Sequence, residues 1–121
     1  MGPTKETGPQ PAFFIEAGGN IGIGTTTPQS KLAVNGIITA QGIVTTMAGW
    51  PDYVFADDYK LRTLSEVETH INEFSHLPGV PSEQEILENG VNVGEMNAIL
   101  LEKIEELTLY MIDLKKENEE I

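Results

Sequence analysis

A heptad seam near the end of the chain constrains the fold more than any other feature. From Leu100 onward the apolar residues recur in steps that alternate four and three, which is the spacing of a coiled coil. One helix cannot bury such a seam by itself, so the pattern predicts an oligomer held by a parallel coiled coil over residues 91–121. The predicted a and d positions are Val93, Asn97, Leu100, Ile104, Leu107, Met111, Leu114, Asn118 and Ile121.

Charge and composition exclude several classes of partner and chemistry. The chain has 7 Lys and Arg against 19 Asp and Glu, and its net charge of -12 would repel the phosphates of nucleic acids. It has no cysteine, which excludes disulfides and thiol chemistry. No apolar run approaches the roughly 18 residues of a membrane span, and no signal peptide is visible. The first eleven residues, polar and rich in Pro and Gly, are predicted to be a flexible linker or an expression remnant.

Residues 12–47 consist of very short segments with β propensity. The segments AFFIE, NIGIG, KLAVN, GIITA and GIVTT are separated by breaks that contain glycine or proline. Small residues such as Gly22, Gly24 and Gly36 would let a neighbouring backbone approach closely. We therefore predict strands that pair between chains around an axis as an intertwined β-prism. A monomeric sandwich would need longer strands and more aromatic filling.

Residues 48–90 are predicted to form a small aromatic core followed by a helical hairpin. Four aromatic residues fall within ten positions, namely Trp50, Tyr53, Phe55 and Tyr59. Ser65 with Glu68 has the spacing of a capping box, so it is predicted to begin a helix that ends at residues 77–79. The predicted architecture is thus β + α: short strands, a helical hairpin and a coiled coil.

The same spacing occurs twice more before the seam. Ser82 with Glu85 predicts the start of a second short helix, and Gly90 is placed to terminate it. Asn92 with Glu95 predicts the start of the long helix that carries the seam.

Two sets of motifs resemble fibre proteins. GNIGIGTT at residues 19–26 and KLAVNG at residues 31–36 resemble a repeat of phage tail fibres and bacterial fibre-like surface proteins. A second set resembles the C-terminal domain that closes such proteins in Bacteroidetes. This domain is similar to the endosialidase-type intramolecular chaperone, which trimerises fibre proteins. The second set comprises WPDYVF at 50–55, HLPGVPS at 76–82, GEMN at 94–97 and KIEELTLY at 103–110.

The resemblance implies an elongated homotrimer in a virion tail fibre or in an extracellular, cell-surface fibre. The seam leaves the number of chains open. Ile104 between Leu100 and Leu107 is typical of two strands, whereas the apolar Leu101 beside the seam favours more than two. The implied role is structural: a domain that brings three chains into register and caps the fibre.

Self-cleavage and enzymatic activity are not expected. In self-cleaving chaperones of this kind, the resemblance implies a serine nucleophile followed by Asp. Here Ala56 stands at that place, before Asp57, and without a hydroxyl there is nothing for a base to activate. No other nucleophile with a base can be assembled, so the predicted chaperone is non-cleaving and not an enzyme.

The remaining candidate sites have simpler interpretations. Asp52, Asp57 and Asp58 lack the spacing of a known Ca²⁺ loop, and six residues separate His70 from His76, so neither a metal nor a cofactor is predicted. Trp50 and Tyr53 are the predicted contact residues in the alternative function, a fibre tip that binds a host glycan or protein receptor.

Overall fold

The computed structural model describes residues 12–120. The linker predicted for residues 1–11 and the last seam residue, Ile121, lie outside the described residues. The chain divides after Val44 into two compact units. The described elements are β1 (Phe14–Ile15), β2 (Ile21–Ile23), β3 (Leu32–Val34), α1 (Leu64–Phe74), α2 (Glu83–Asn89) and α3 (Val93–Glu120).

The first unit is a three-stranded sheet in the order β1-β2-β3. β1 pairs antiparallel with β2, and β2 pairs parallel with β3, with Gly22 opposite Ala33. A parallel pair usually needs a crossover of a dozen or more residues, but here the connection is a short loop. The Asn35 side chain fastens this loop by donating from Nδ2 to the carbonyl oxygen of Gly24 at 3.3 Å.

Two of the five predicted strands do not form within the described chain. The segments GIITA and GIVTT have no strand partner there, and Ile37 and Val44 are 95% and 93% exposed. Extended backbone becomes a strand only when a neighbour supplies the hydrogen bonds, and no described segment of the same chain does so. Pairing of these segments with another chain stays a prediction.

Helix α1 begins two residues earlier than predicted. Thr63, not Ser65, is the N-cap: its Oγ1 accepts from the backbone N–H of Glu66 at 3.1 Å, and the Glu66 carboxylate accepts from the N–H of Thr63 at 2.8 Å. Both pairs have capping-box spacing, so the sequence alone could not separate them. The helix also ends earlier, since Ser75 adopts a left-handed conformation with φ of 64°.

The predicted starts of α2 and α3 are confirmed. Ser82 and Glu85 form the reciprocal bonds of a capping box, and Gly90 follows the last turn of α2 as its C-cap. The side chain of Asn92 accepts from the N–H of Glu95 at 2.9 Å, which begins α3. In each case a polar side chain satisfies an amide that has no partner within the helix.

Helices α1 and α2 each line a cavity with α3 through their side chains. No Cα atom of α1 lies within 8 Å of one in α2, and neither helix brings a Cα atom that close to α3. The two helices therefore do not pack closely on each other as the predicted hairpin. The most buried side chains are Pro51 and Val54, whereas the aromatic Trp50 is 51% exposed. The aromatic residues therefore do not form a closed core within the single chain. Among the described residues, no helix is long and apolar enough to cross a membrane.

Candidate functional site

One face of α3 is covered by its own chain through tyrosine–carboxylate hydrogen bonds. The hydroxyl of Tyr59 donates to Oε2 of Glu106, and the hydroxyl of Tyr53 donates to Oε2 of Glu102. The two tyrosine rings lie 5.8 Å apart between centroids. Lys103 completes the cluster, with Nζ 3.1 Å from Oε1 of Glu106 and 3.3 Å from Oε1 of Glu102. The ammonium group of Lys103 thus interacts with both carboxylates, and each carboxylate also accepts a hydrogen bond from a tyrosine.

These contacts keep both tyrosines protonated. The hydrogen bond to the Glu102 carboxylate, followed by burial, raises the pKa of Tyr53 to about 12. Burial, followed by the hydrogen bond to Glu106, raises the pKa of Tyr59. In both cases a phenolate would face a negative carboxylate, so the neutral donor is strongly favoured. Both tyrosines therefore remain hydrogen-bond donors at ordinary pH. We call this cluster the clasp; its members are Tyr53, Tyr59, Glu102, Lys103 and Glu106.

A third tyrosine fastens the segment that precedes α1. The hydroxyl of Tyr110 donates to the backbone carbonyl oxygen of Arg62 at 2.6 Å. Beneath this bond, a mainly apolar cavity of about 100 Å³ is lined by residues that include Val67, Leu77 and Leu107. The segment that leads into α1 is thereby held against α3, about one turn beyond the Tyr59 contact.

Gly94 lets another segment approach the first turn of α3. It is buried, and a Cβ built there would lie 2.9 Å from Oγ1 of Thr45 and 3.3 Å from the sulfur of Met47. Any side chain would force these neighbours to move. This close approach was not predicted, because a glycine in the first turn of a helix gives no sequence signal of what packs against it.

The opposite face of α3 is an uncovered apolar stripe, which we call the seam face. Its apolar members Val93, Leu100, Ile104, Leu107, Met111 and Leu114 are between 48% and 70% exposed. Asn97 and Asn118, predicted at a positions, are exposed as well. From Val93 to Leu114 the stripe runs for about 30 Å at 1.5 Å per residue. Within the described residues, the seam from Val93 to Leu114 is thus at most about half covered by its own chain.

A groove runs beside the far half of the seam face. It has a volume of about 540 Å³, and its walls include Leu61 and Leu64 on one side and Leu107, Met111 and Leu114 on the other. The segment before α1 therefore extends the apolar surface beyond the helix itself. A partner seated on the seam face would also contact this segment.

The three predicted close-packed glycines have different surroundings within the chain. A Cβ on Gly22 would lie 2.2 Å from the backbone oxygen of Thr25, and one on Gly24, where φ is 76°, would lie 3.1 Å from that of Asn35. Gly36 has no heavy atom within 4 Å of such a Cβ. Close packing at Gly36 therefore stays a prediction about other copies of the chain.

The two predicted receptor-contact residues differ in what they touch. Trp50 borders an open groove of about 560 Å³ that also includes Thr45, Thr46, Met47, Gly94 and Asn97. Tyr53 is partly exposed, but its hydroxyl is occupied by Glu102. Trp50, which is 51% exposed, is thus the one of the two whose side chain forms no hydrogen bond within the described residues 12–120 and partly lines an open groove.

The two histidines are brought together, which the sequence interpretation did not anticipate. Their ring centroids lie 5.4 Å apart with an interplanar angle of 78°. Helical spacing separates residues six apart, but α1 ends at Phe74, and the left-handed Ser75 turns the chain back so that His76 meets His70. A non-glycine residue in this conformation has no strong sequence signal.

The other candidate positions are plain loop residues. Asp52, Asp57 and Asp58 are exposed, and the described residues contain no group of three or more His, Asp or Glu that could hold a metal ion. Ala56 lies in a turn, with its N–H donating to the Tyr53 carbonyl at 3.2 Å and its carbonyl accepting from Tyr59 at 3.1 Å. The methyl group of Ala56 offers no nucleophile.

Comparisons of the chain with known protein families, with curated proteins and with solved structures found no match.

Proposed function

We propose that this chain is a trimerisation and capping domain at the C-terminus of a tail fibre or a fibre-like adhesin, on a virion or a cell surface. In this proposal three copies form a parallel coiled coil through α3 and an intertwined β-prism through the short strands. The domain acts as a non-cleaving intramolecular chaperone that brings the three chains into register.

The contrast between the two faces of α3 carries this proposal. Glu106, on the covered face, is 8% exposed and bound by Tyr59 and Lys103, whereas Ile104 and Leu107 on the seam face are more than half exposed. The chain thus covers the polar face of α3 and leaves the heptad residues exposed to water. Association of several copies through α3 would bury these exposed apolar residues. Covering each half-exposed Leu or Ile stabilises the complex by roughly 1 kcal/mol.

The strand segments supply the reason for a chaperone role. Residues 37–44 expose Ile37, Ile38, Ile43 and Val44 and have no strand partner in the described chain. Pairing such segments between separate chains carries a large loop-closure and association cost. A coiled coil that first joins three copies raises their local concentration, which lowers that cost.

The absolute mass in solution tests the proposal. Light scattering after size exclusion should give three times the 13.2 kDa mass of one chain across a tenfold range of concentration. A monomer would overturn the proposal and assign the seam face to a different partner helix. A dimer would retain a coiled coil but contradict the trimeric β-prism.

A second candidate is a fibre tip that binds a host glycan. It is favoured by the groove in which Trp50 lies beside the polar side chains of Thr45 and Asn97, since sugars stack on aromatic rings and bind to amides and hydroxyls. However, Asn97 is also a seam position, so a coiled coil would withdraw it from that groove. Glycan-array binding that Trp50→Ala abolishes, while Phe55→Ala retains it, would support the tip function.

A further inference from the structure

We infer that His70 and His76 form a two-histidine site for a divalent transition-metal ion such as Zn²⁺. This site is separate from the seam face and does not depend on the proposed function. It joins the last turns of α1 to the loop that follows, and water molecules would complete the coordination of the ion.

The spacing of the two rings fits one shared ion. Two imidazoles bound to Zn²⁺ at about 2.0–2.1 Å, with a tetrahedral angle between them, hold their ring centres about 5 Å apart. The observed separation of the His70 and His76 centroids is 5.4 Å, and the rings meet at 78° rather than stacking in parallel. The turn at Ser75 fixes this spacing, because its N–H donates to the Ile71 carbonyl at 2.8 Å and closes the end of the helix.

The hydrogen bonding of the two rings leaves Nε2 of each available to bind a metal ion. Nδ1 of His76 lies 3.0 Å from the carbonyl oxygen of Leu77, and a carbonyl only accepts, so Nδ1 carries the proton. The lone pair of a neutral His76 is then on Nε2. Histidine ligands commonly donate their other N–H to a backbone carbonyl in this way. In His70, Nε2 is buried and has no hydrogen-bond partner within the described chain.

The surroundings favour a cation and shield one side of the site. The ring of Phe74 lies 4.6 Å from that of His70 and 6.2 Å from that of His76, between centroids. The carboxylate of Glu85 accepts from the backbone N–H of Ser82 at 2.9 Å, and it attracts positive charge at His76. The chain's net charge of -12 further raises the local concentration of cations.

Titration calorimetry with ZnCl₂ on the full, tag-free chain tests the site. We expect one Zn²⁺ per chain, with affinity reduced at least about tenfold in both His70→Gln and His76→Gln. The chain has 2 histidines and no cysteine, so the usual competing ligands are absent. Glu68→Gln removes an exposed carboxylate that lies two residues from His70 and so on another side of α1, and it should bind Zn²⁺ as the parent chain does.

A second readout separates loss of the site from loss of the fold. Saturating Zn²⁺ should raise the melting temperature of the parent chain and of Glu68→Gln but not of the histidine variants, whose far-ultraviolet circular dichroism should be unchanged. Absence of Zn²⁺ binding by the parent chain would overturn the site. So would equal binding by His70→Gln, by His76→Gln and by the parent chain, which would indicate general accumulation at acidic residues. Either outcome leaves the oligomer mass, and hence the proposed function, untouched.

Discussion

The hydroxyl of Tyr59 donates a hydrogen bond to the carboxylate of Glu106, 47 residues further along the chain. Within residues 12–120, Glu106 is the charged residue that the structure buries. Its carboxylate receives a second bond from Lys103 on its own helix at 3.1 Å. A buried carboxylate is tolerated only when such donors replace its lost hydration. The aromatic segment is thus fixed to α3 by polar bonds as well as by apolar contact.

Tyr59→Phe should destabilise the chain, because it removes a donor from the buried carboxylate of Glu106 while keeping the ring. We expect a loss of about 1–3 kcal/mol in the free energy of unfolding. Urea denaturation at fixed chain concentration measures it. Tyr53→Phe is the matched control: Tyr53 is 44% exposed, so water can replace its hydroxyl and the loss should be smaller. Equal stability of Tyr59→Phe and the parent chain would contradict the role given to this bond.

Alkaline pH should loosen the same clasp. The folded pKa of Tyr53 is about 12 against 10.0 for an ordinary tyrosine, and the pKa values of Tyr59 and Tyr110 are also raised. A raised folded pKa means that the stabilisation is fully present below about pH 10 and is lost as the pH rises towards 12. Absorbance titration of tyrosinate, followed together with circular dichroism, should show delayed ionisation and unfolding in that window. Ionisation of all the tyrosines near pH 10 with the fold intact would contradict this.

Ile104→Asp should abolish self-association, whereas Ile112→Asp should not. The two isoleucines are 57% and 45% exposed, but only Ile104 lies on the predicted seam. A carboxylate at a buried layer of a coiled coil is strongly unfavourable, and we expect association to weaken at least about a hundredfold, or about 3 kcal/mol. Sedimentation velocity compares the two variants directly. The same oligomer mass for both would show that the seam face is not the interface.

Gly22→Ala should be harmful within a single chain, whereas Gly36→Ala reports on other copies. A methyl group at Gly22 would meet the backbone oxygen of Thr25 at 2.2 Å, which we expect to cost about 1–3 kcal/mol in stability. At Gly36 the methyl group meets nothing within 4 Å of its own chain. Thermal unfolding of both variants distinguishes the cases. A loss at Gly36 as large as at Gly22 would indicate close packing by a neighbouring chain, while no loss would argue against the β-prism there.

Local signals in the sequence predicted the helix starts at Ser82 and Asn92 because capping depends on residues only three positions apart. The same rule placed the start of α1 at Ser65 instead of Thr63, since two overlapping pairs satisfied it. The strands predicted over residues 36–40 and 42–46 do not form within the described chain for a different reason. β propensity describes a residue's fit to a sheet, and whether a strand forms depends on a partner that the sequence window does not contain.

The clasp on α3 could not be predicted from the sequence for a related reason. Glu102, Lys103 and Glu106 have the pattern of a solvated helix face, and their tyrosine partners lie 47 to 49 residues away. The meeting of His70 and His76 depended on one left-handed residue, Ser75. The seam, by contrast, needed only the spacing of apolar residues, although spacing does not identify what covers it.

The close approach at Gly94 also determines how the second unit would bear load. Thr45, the first residue of that unit, lies against the first turn of α3. Residues 46–93 are therefore a loop closed at its base by this contact. A pulling force applied to the chain at Thr45 would pass to α3 through this contact. The aromatic segment, α1 and α2 would carry that force only after the contact breaks. Under pulling, the junction between Thr45 and Gly94 would be the first part of this unit to yield.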